Sequence, residues 1–179
     1  MPIDAAASLC PAWDISVSFE YLRSLYPRMD SFILNTVRDF FVERPENATA
    51  MAAHPKAVEA ARAATTLNEF VEACVPFAGC NDMEHYHKCN NPMEFAFGNT
   101  TPTIVLNSLD DFLCVKENIR LDLLDRAESY ALLVTDEGSH IAYSEGCFGQ
   151  GNYMWRLTLD FFEAVKRDKE ETKGEVVVV

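Results

Sequence analysis

The sequence has little positive charge, few glycines and no long apolar run. Its 179 residues carry 15 Lys and Arg against 28 Asp and Glu, a formal charge of −13. Nucleic acids and anionic membrane surfaces are polyanions, so this acid excess argues against general binding to either. No apolar run approaches the ~20 residues that a bilayer-spanning helix needs. The segment Met1-Pro2-Ile3-Asp4 has an acid where a secretory leader has basic residues, so no signal peptide is expected. Six cysteines, at 10, 74, 80, 89, 114 and 147, are few and unevenly spaced for a disulfide scaffold. They are expected to be free, mostly as small buried hydrophobes in a reducing compartment. The sequons Asn47-Ala48-Thr49 and Asn99-Thr100-Thr101 matter only in a secretory setting.

What is present points to a packed core. Apolar residues make up 49% of the chain and include 12 Phe, which is not the composition of a disordered chain. Ala5 to Cys10 reads as a short buried strand stopped by Pro11. From Ile15 to Phe41, mixed three- and four-residue spacings of Phe19, Leu22, Leu25, Phe32, Ile33, Val37, Phe40 and Phe41 predict two helices broken at Pro27. Pro55 suits the first turn of an Ala-rich helix running to Ala64. Thr66 with Glu69 three residues on is a capping-box pattern, and it opens a helix to about Cys74. Near residue 100 the character changes. Pro102 to Asn107 and Ala131 to Thr135 are compact apolar runs, separated by Val115 to Arg126, whose Ile119, Leu121, Leu123 and Leu124 predict a helix. Tyr153 to Lys169 places Met154, Leu157, Phe161 and Val165 on one face of a long helix. Continuous apolar strands separated by helices predict an α/β fold built on a parallel sheet. The expected organisation is a helical region over residues 12–100, a core over 101–169 and a polar tail over 170–179 that includes Val176–Val179.

In parallel α/β sheets the functional residues sit on loops at the C-terminal ends of strands. Those loops here carry Asp110-Asp111 and His140. An acid beside a histidine fixes the imidazole tautomer and stabilises the imidazolium formed when the ring takes a proton. A histidine titrates near neutrality, as a general base must.

Thr103-Ile104-Val105-Leu106-Asn107-Ser108-Leu109-Asp110-Asp111-Phe112-Leu113 resembles the acid loop of the YheT-type and embryogenesis-associated family of α/β-hydrolases. Gly138-Ser139-His140-Ile141-Ala142-Tyr143-Ser144-Glu145-Gly146 is similar to that family's histidine loop, G-G-H-[IV]-[GA]-F-x-[ED]-G. Arg62 to Phe70 and Asp82 to Tyr86 resemble two stretches of its lid, so the likeness extends from Ala5 to about Phe162. The resemblance implies the C-terminal half of an α/β-hydrolase fold with a helical lid insertion. It implies that His140 is the general base and Asp111 the triad acid, with Asp110 as the alternative. The implied activity is serine-hydrolase cleavage of carboxylic esters, of acylglycerol, short-chain or phospholipid type, with no cofactor.

Two residues depart from the family pattern. Phe112 stands where Pro is usual, and Ser139 replaces the second Gly of the histidine loop. If that position needs positive φ, Ser139 carries backbone strain. The nucleophile elbow G-x-S-x-G is absent, because no two of the seven glycines are four residues apart. The nucleophilic serine is therefore expected outside this chain, which would pair with an ester or lipid substrate only once completed. The rival expectation is an inactive fragment with a protein- or lipid-binding role. Placement would be cytoplasmic for a complete chain and membrane-associated for an anchored longer parent.

Other candidates have plainer readings. Cys74, Cys80, His85, His87 and Cys89 place five soft ligands within 16 residues. Their spacing is not C-x₂₋₄-C, and His85 and His87 point apart on a helix, so no metal is expected. Ser8 and Cys10 read as small residues packing a strand, with Pro11 blocking a helix directly after them. Phe19, Tyr21, Tyr26, Phe40 and Phe41 either line an acyl pocket or pack the helical region.

Overall fold

A computed structural model describes residues 3–123 and 126–174. Leu124, the terminal Val176–Val179, and Met1 and Pro2 of the amino-terminal reading lie outside the described residues. The chain forms two compact units, one of residues 1–12 and 95–179 and one of Trp13–Glu94. The architecture is mixed α/β, a parallel three-stranded sheet with a helical segment inserted in the chain between its first two strands.

The sheet is built from β1 (Ala6–Leu9), β2 (Thr103–Ser108) and β3 (Tyr130–Thr135), in the order β1-β2-β3. Parallel registers pair Leu9 with Leu106 and Ser108 with Thr135. The central strand is the one whose sequence is a continuous β-branched and apolar run, and all six of its residues are buried. Burial of side chains such as Val105 and Leu106 contributes about 1.5–3 kcal/mol each. Across the C-terminal ends of the strands, Cys10, Leu106, Tyr143 and Met154 form a cluster, with Leu9, Leu133, Tyr153 and Leu157 packed against it. Met154 and Leu157 come from the long terminal helix, described below as α7.

The helical unit contains α1 (Ile15–Leu25), α2 (Pro27–Phe41), α3 (Ala48–Ala53), α4 (Pro55–Ala63), α5 (Leu67–Cys74) and α6 (Met83–Asn90). Pro27 separates α1 from α2 and Pro55 opens α4, because a proline lacks the amide that a helix interior requires. Asp14 caps α1 by accepting the Ser16 amide at 3.0 Å. Thr66 caps α5 by accepting the Glu69 amide at 3.2 Å. The Glu69 carboxylate returns to Thr65, accepting its amide at 2.6 Å and its hydroxyl at 2.8 Å. Leu22, Leu34, Val58, Leu67 and Phe70 are among the buried residues of this unit. Phe41 packs edge-on against Phe70 and Phe77, whereas Phe40 is exposed beneath the Arg44 guanidinium.

The connection from β2 to β3 differs from expectation. Among its described residues there is no α-helix, only 3-10 turns at Lys116–Asn118 and Leu121–Leu123. The backbone is extended at Val115 and again at Ile119, where φ is −76° and ψ +122°, so the first turn ends before a helix can propagate. Arg120 instead folds back on Asp122 in a two-pronged ion pair at 2.7 and 2.6 Å. Two short antiparallel strands, β4 (Ser144–Glu145) and β5 (Gly151–Asn152), precede α7 (Tyr153–Gly174), which runs past the expected end at Lys169. No described helix is long and apolar enough to cross a membrane.

Two substitutions test this account by urea unfolding. Thr66→Ala removes one cap and should cost about 1 kcal/mol. Leu106→Ala empties part of the buried centre of β2 and should cost about 2–5 kcal/mol.

Candidate active site

The site is assembled from the loops that follow β2 and β3. Asp111 is at the first turn after β2, and its side chain has 0% exposure against 32% for His140. A buried carboxylate must have its lone pairs occupied, and both oxygens here are engaged. Oδ1 accepts the backbone amides of Leu113 at 2.7 Å and Cys114 at 2.9 Å. Oδ2 lies 3.0 Å from Nδ1 of His140. An ionised carboxylate only accepts, so Nδ1 is the donor. The neutral ring then holds its lone pair on Nε2, the form a general base requires.

Asp110 has a different task. Its Oδ1 accepts the Ser139 backbone amide at 2.7 Å. That hydrogen bond holds the Asp110 carboxyl below its usual range. The hydroxyl of Ser108, the last residue of β2, donates to the Ser139 carbonyl at 2.6 Å. Ser139 is thus gripped on both sides of its peptide while Asp111 meets the next side chain. The two candidate acids divide the work, one on the loop backbone and one on the imidazole.

The histidine loop carries unusual backbone. Ser139 has φ +49° and Gly138 has φ +155°. The positive φ at Ser139 is the strained conformation that a Gly would adopt freely. At Gly138 the reason is contact, since an added Cβ would sit 2.4 Å from Cε1 of Tyr143. Tyr143 is buried, stacks on Tyr153 with ring centroids 6.3 Å apart, and has its phenol pKa raised by burial.

Cys10 also has positive φ, +51°, directly after β1. Its sulfur belongs to a trio with Asp111 and His140 whose ligand atoms lie within 4.8 Å of one another. The thiol is nevertheless a poor nucleophile. Burial first, with the Asp111 charge adding to it, raises its pKa, and a thiol reacts as the thiolate. The Sγ of Cys10 faces the Tyr143 hydroxyl at 3.9 Å, and its carbonyl accepts from Cys114 Sγ at 3.0 Å. Burial pushes the Cys114 thiol up to about 12. These cysteines wall the pair with neutral sulfur. A metal in this trio would have to displace the Asp111–His140 bond, so the geometry favours an acid–base pair. Ser8 lies within β1 as a sheet residue. No protein-family model and no solved structure matches the chain.

Two outcomes test the loop. Gly138→Ala should cost about 1–3 kcal/mol by overpacking against Tyr143, read by urea unfolding. The Asp110 pKa is lowered on folding, so its grip on Ser139 is complete above about pH 4 and fades as pH falls through the lowered value. The protection of the Ser139 amide, its exchange rate relative to the intrinsic rate at the same pH, should therefore fall in acid, and Asp110→Asn should already show low protection at neutral pH.

Proposed function

We propose that Asp111 and His140 are the acid and base of a serine-hydrolase acyl-transfer site that cleaves carboxylic esters, its nucleophilic serine lying outside these 179 residues. The observation that carries this reading is the 3.0 Å contact between a fully buried carboxylate and a part-exposed imidazole. The parallel strands that present the two groups, and the likeness of their loops to the YheT-type family, support the same reading.

The mechanism follows from proton positions. A serine hydroxyl hydrogen-bonded to Nε2 loses its proton to the ring as its oxygen attacks the ester carbonyl. The imidazolium then carries donors on both nitrogens. Asp111 stabilises it through Oδ2 and keeps the ring from rotating, because Oδ1 is anchored to two amides. The same proton passes to the leaving alkoxide, and a water molecule repeats the cycle to release the acid. Leu109 and Ile141, each adjacent in sequence to the two loops' functional residues, are exposed apolar side chains. That supports an apolar acyl group, as in acylglycerols or phospholipids, over a small polar ester.

The test is the reading frame upstream of Met1 in the transcript. A frame encoding a strand, G-x-S-x-G and a helix is the expected result. In the complete protein, a fluorophosphonate probe should label that serine. His140→Ala should abolish labelling, and Asp111→Asn should lower kcat by roughly 10⁴-fold. A stop codon directly upstream would sink the proposal in favour of a non-catalytic binding role. So would labelling of the isolated chain that depends on His140, because the nucleophile would then be internal.

A further inference from the structure

A second group of chemically capable side chains lies within the helical unit. Cys80 sits in the turn before α6, and His85 and Cys89 follow on α6 itself. His85 and Cys89 are four residues apart and share one face of the helix. One ligand atom from each of Cys80, His85 and Cys89 lies within 4.8 Å of the other two. Both cysteines are free thiols. We propose that Cys80, His85 and Cys89 form a zinc site with three protein ligands and a fourth position open to water.

The geometry needs little adjustment. Zinc bonds of about 2.3 Å to sulfur and 2.0–2.1 Å to nitrogen set tetrahedral ligands roughly 3.5–3.8 Å apart. Small χ rotations of the part-exposed His85 and the exposed Cys89 toward the buried Cys80 cover the difference. The imidazole is already in a usable form. Nδ1 of His85 accepts the Asn81 amide at 3.2 Å, so it is unprotonated and its lone pair faces the turn that holds Cys80. An ion would take that lone pair in place of one long hydrogen bond.

Asp82, between Cys80 and His85 in sequence, accepts the His85 amide on Oδ1 at 2.8 Å and so fixes the start of the helix that carries two of the ligands. A divalent ion deprotonates its thiol ligands on binding.

α6 is eight residues long, and its side chains are part-buried at most. A helix that short is unstable without tertiary packing. Ligands before its first turn and in its last turn would bracket it. The other two soft ligands of the region take no part. His87 lines a cavity of about 260 Å³ with Phe19, Met83 and Tyr86, and burial pushes the Cys74 thiol up to about 11.

The experiment is a cobalt(II) titration of the reduced, metal-stripped full chain, followed by zinc competition against a chromophoric chelator. One equivalent should bind, with thiolate-to-cobalt charge transfer in the near ultraviolet and intense visible bands of a tetrahedral ion. Zinc should bleach both and slow hydrogen exchange along α6. Cys89→Ser removes an exposed ligand and should abolish stoichiometric binding. His85→Gln should weaken it by more than the roughly 10- to 100-fold lost with an outer-shell partner. His87→Gln and Cys74→Ser should leave it unchanged. Three results would overturn the site: no saturable binding, binding that survives Cys89→Ser and His85→Gln, or a metal-independent loss of two titratable thiols marking a Cys80–Cys89 disulfide.

Discussion

The Asp111 carboxylate sets the terms for everything at the C-terminal ends of the strands. A charge fully withdrawn from water costs several kcal/mol unless its surroundings replace the lost solvent. Here the replacement is two backbone amides on one oxygen and an imidazole on the other. The amides belong to Leu113 and Cys114, so the chain must turn tightly as it leaves β2. The imidazole belongs to the loop after β3, so that loop is tied back to the β2 turn. Asp110 repeats the tie one residue earlier, on the Ser139 backbone. Consecutive acids therefore hold consecutive residues of the opposite loop, one by its peptide and one by its ring.

That double tie explains where backbone strain is tolerated. Ser139 and Cys10 are the non-glycine described residues with positive φ, and both directly serve the ends of strands around the pair. Such conformations cost roughly 1–2 kcal/mol each and persist only where neighbours over-determine them. Ser139 is held by Asp110 and Ser108; Cys10 is held by its amide on the Leu106 carbonyl and by the Cys114 thiol on its own carbonyl. Burial keeps the two thiols neutral, so Asp111 is not set against a second anion within the wall it shares with them.

Local signals made much of this legible in the sequence. β2 announces itself as an apolar, β-branched run, and Pro27, Pro55 and Thr66 mark helix boundaries because each has a chemical reason to sit there. The acid and the histidine are visible as strand-end residues. Composition and spacing alone do not say which of the two adjacent acids meets the ring; the loop resemblance named Asp111 with Asp110 as the alternative, and Asp111 is the one 3.0 Å from Nδ1. The β2–β3 connection misled for a similar reason. Counting apolar residues from Val115 to Arg126 suggests a helix, but the extended backbone at Val115 and Ile119 and the Arg120–Asp122 pair leave only tighter turns among the described residues. Cys80, His85 and Cys89 stood in the sequence among five soft ligands, but which three converge was not legible, because their spacing combines a turn with a helix. Gly79, in the left-handed region at φ +70°, swings the chain so that Cys80 returns to the face carrying His85 and Cys89.

Stability alone gives no reason to bury a carboxylate against an imidazole. Well-packed apolar side chains of similar volume often stabilise a core as well as a buried ionic pair, or better. The same position also requires a strained serine, a glycine pressed against the Tyr143 ring and three amide donors committed to two adjacent acids. What the arrangement secures is orientation. One nitrogen of the ring is held by Asp111, and the ring as a whole is only part-buried. A fixed tautomer is what the general-base role proposed for His140 would draw on.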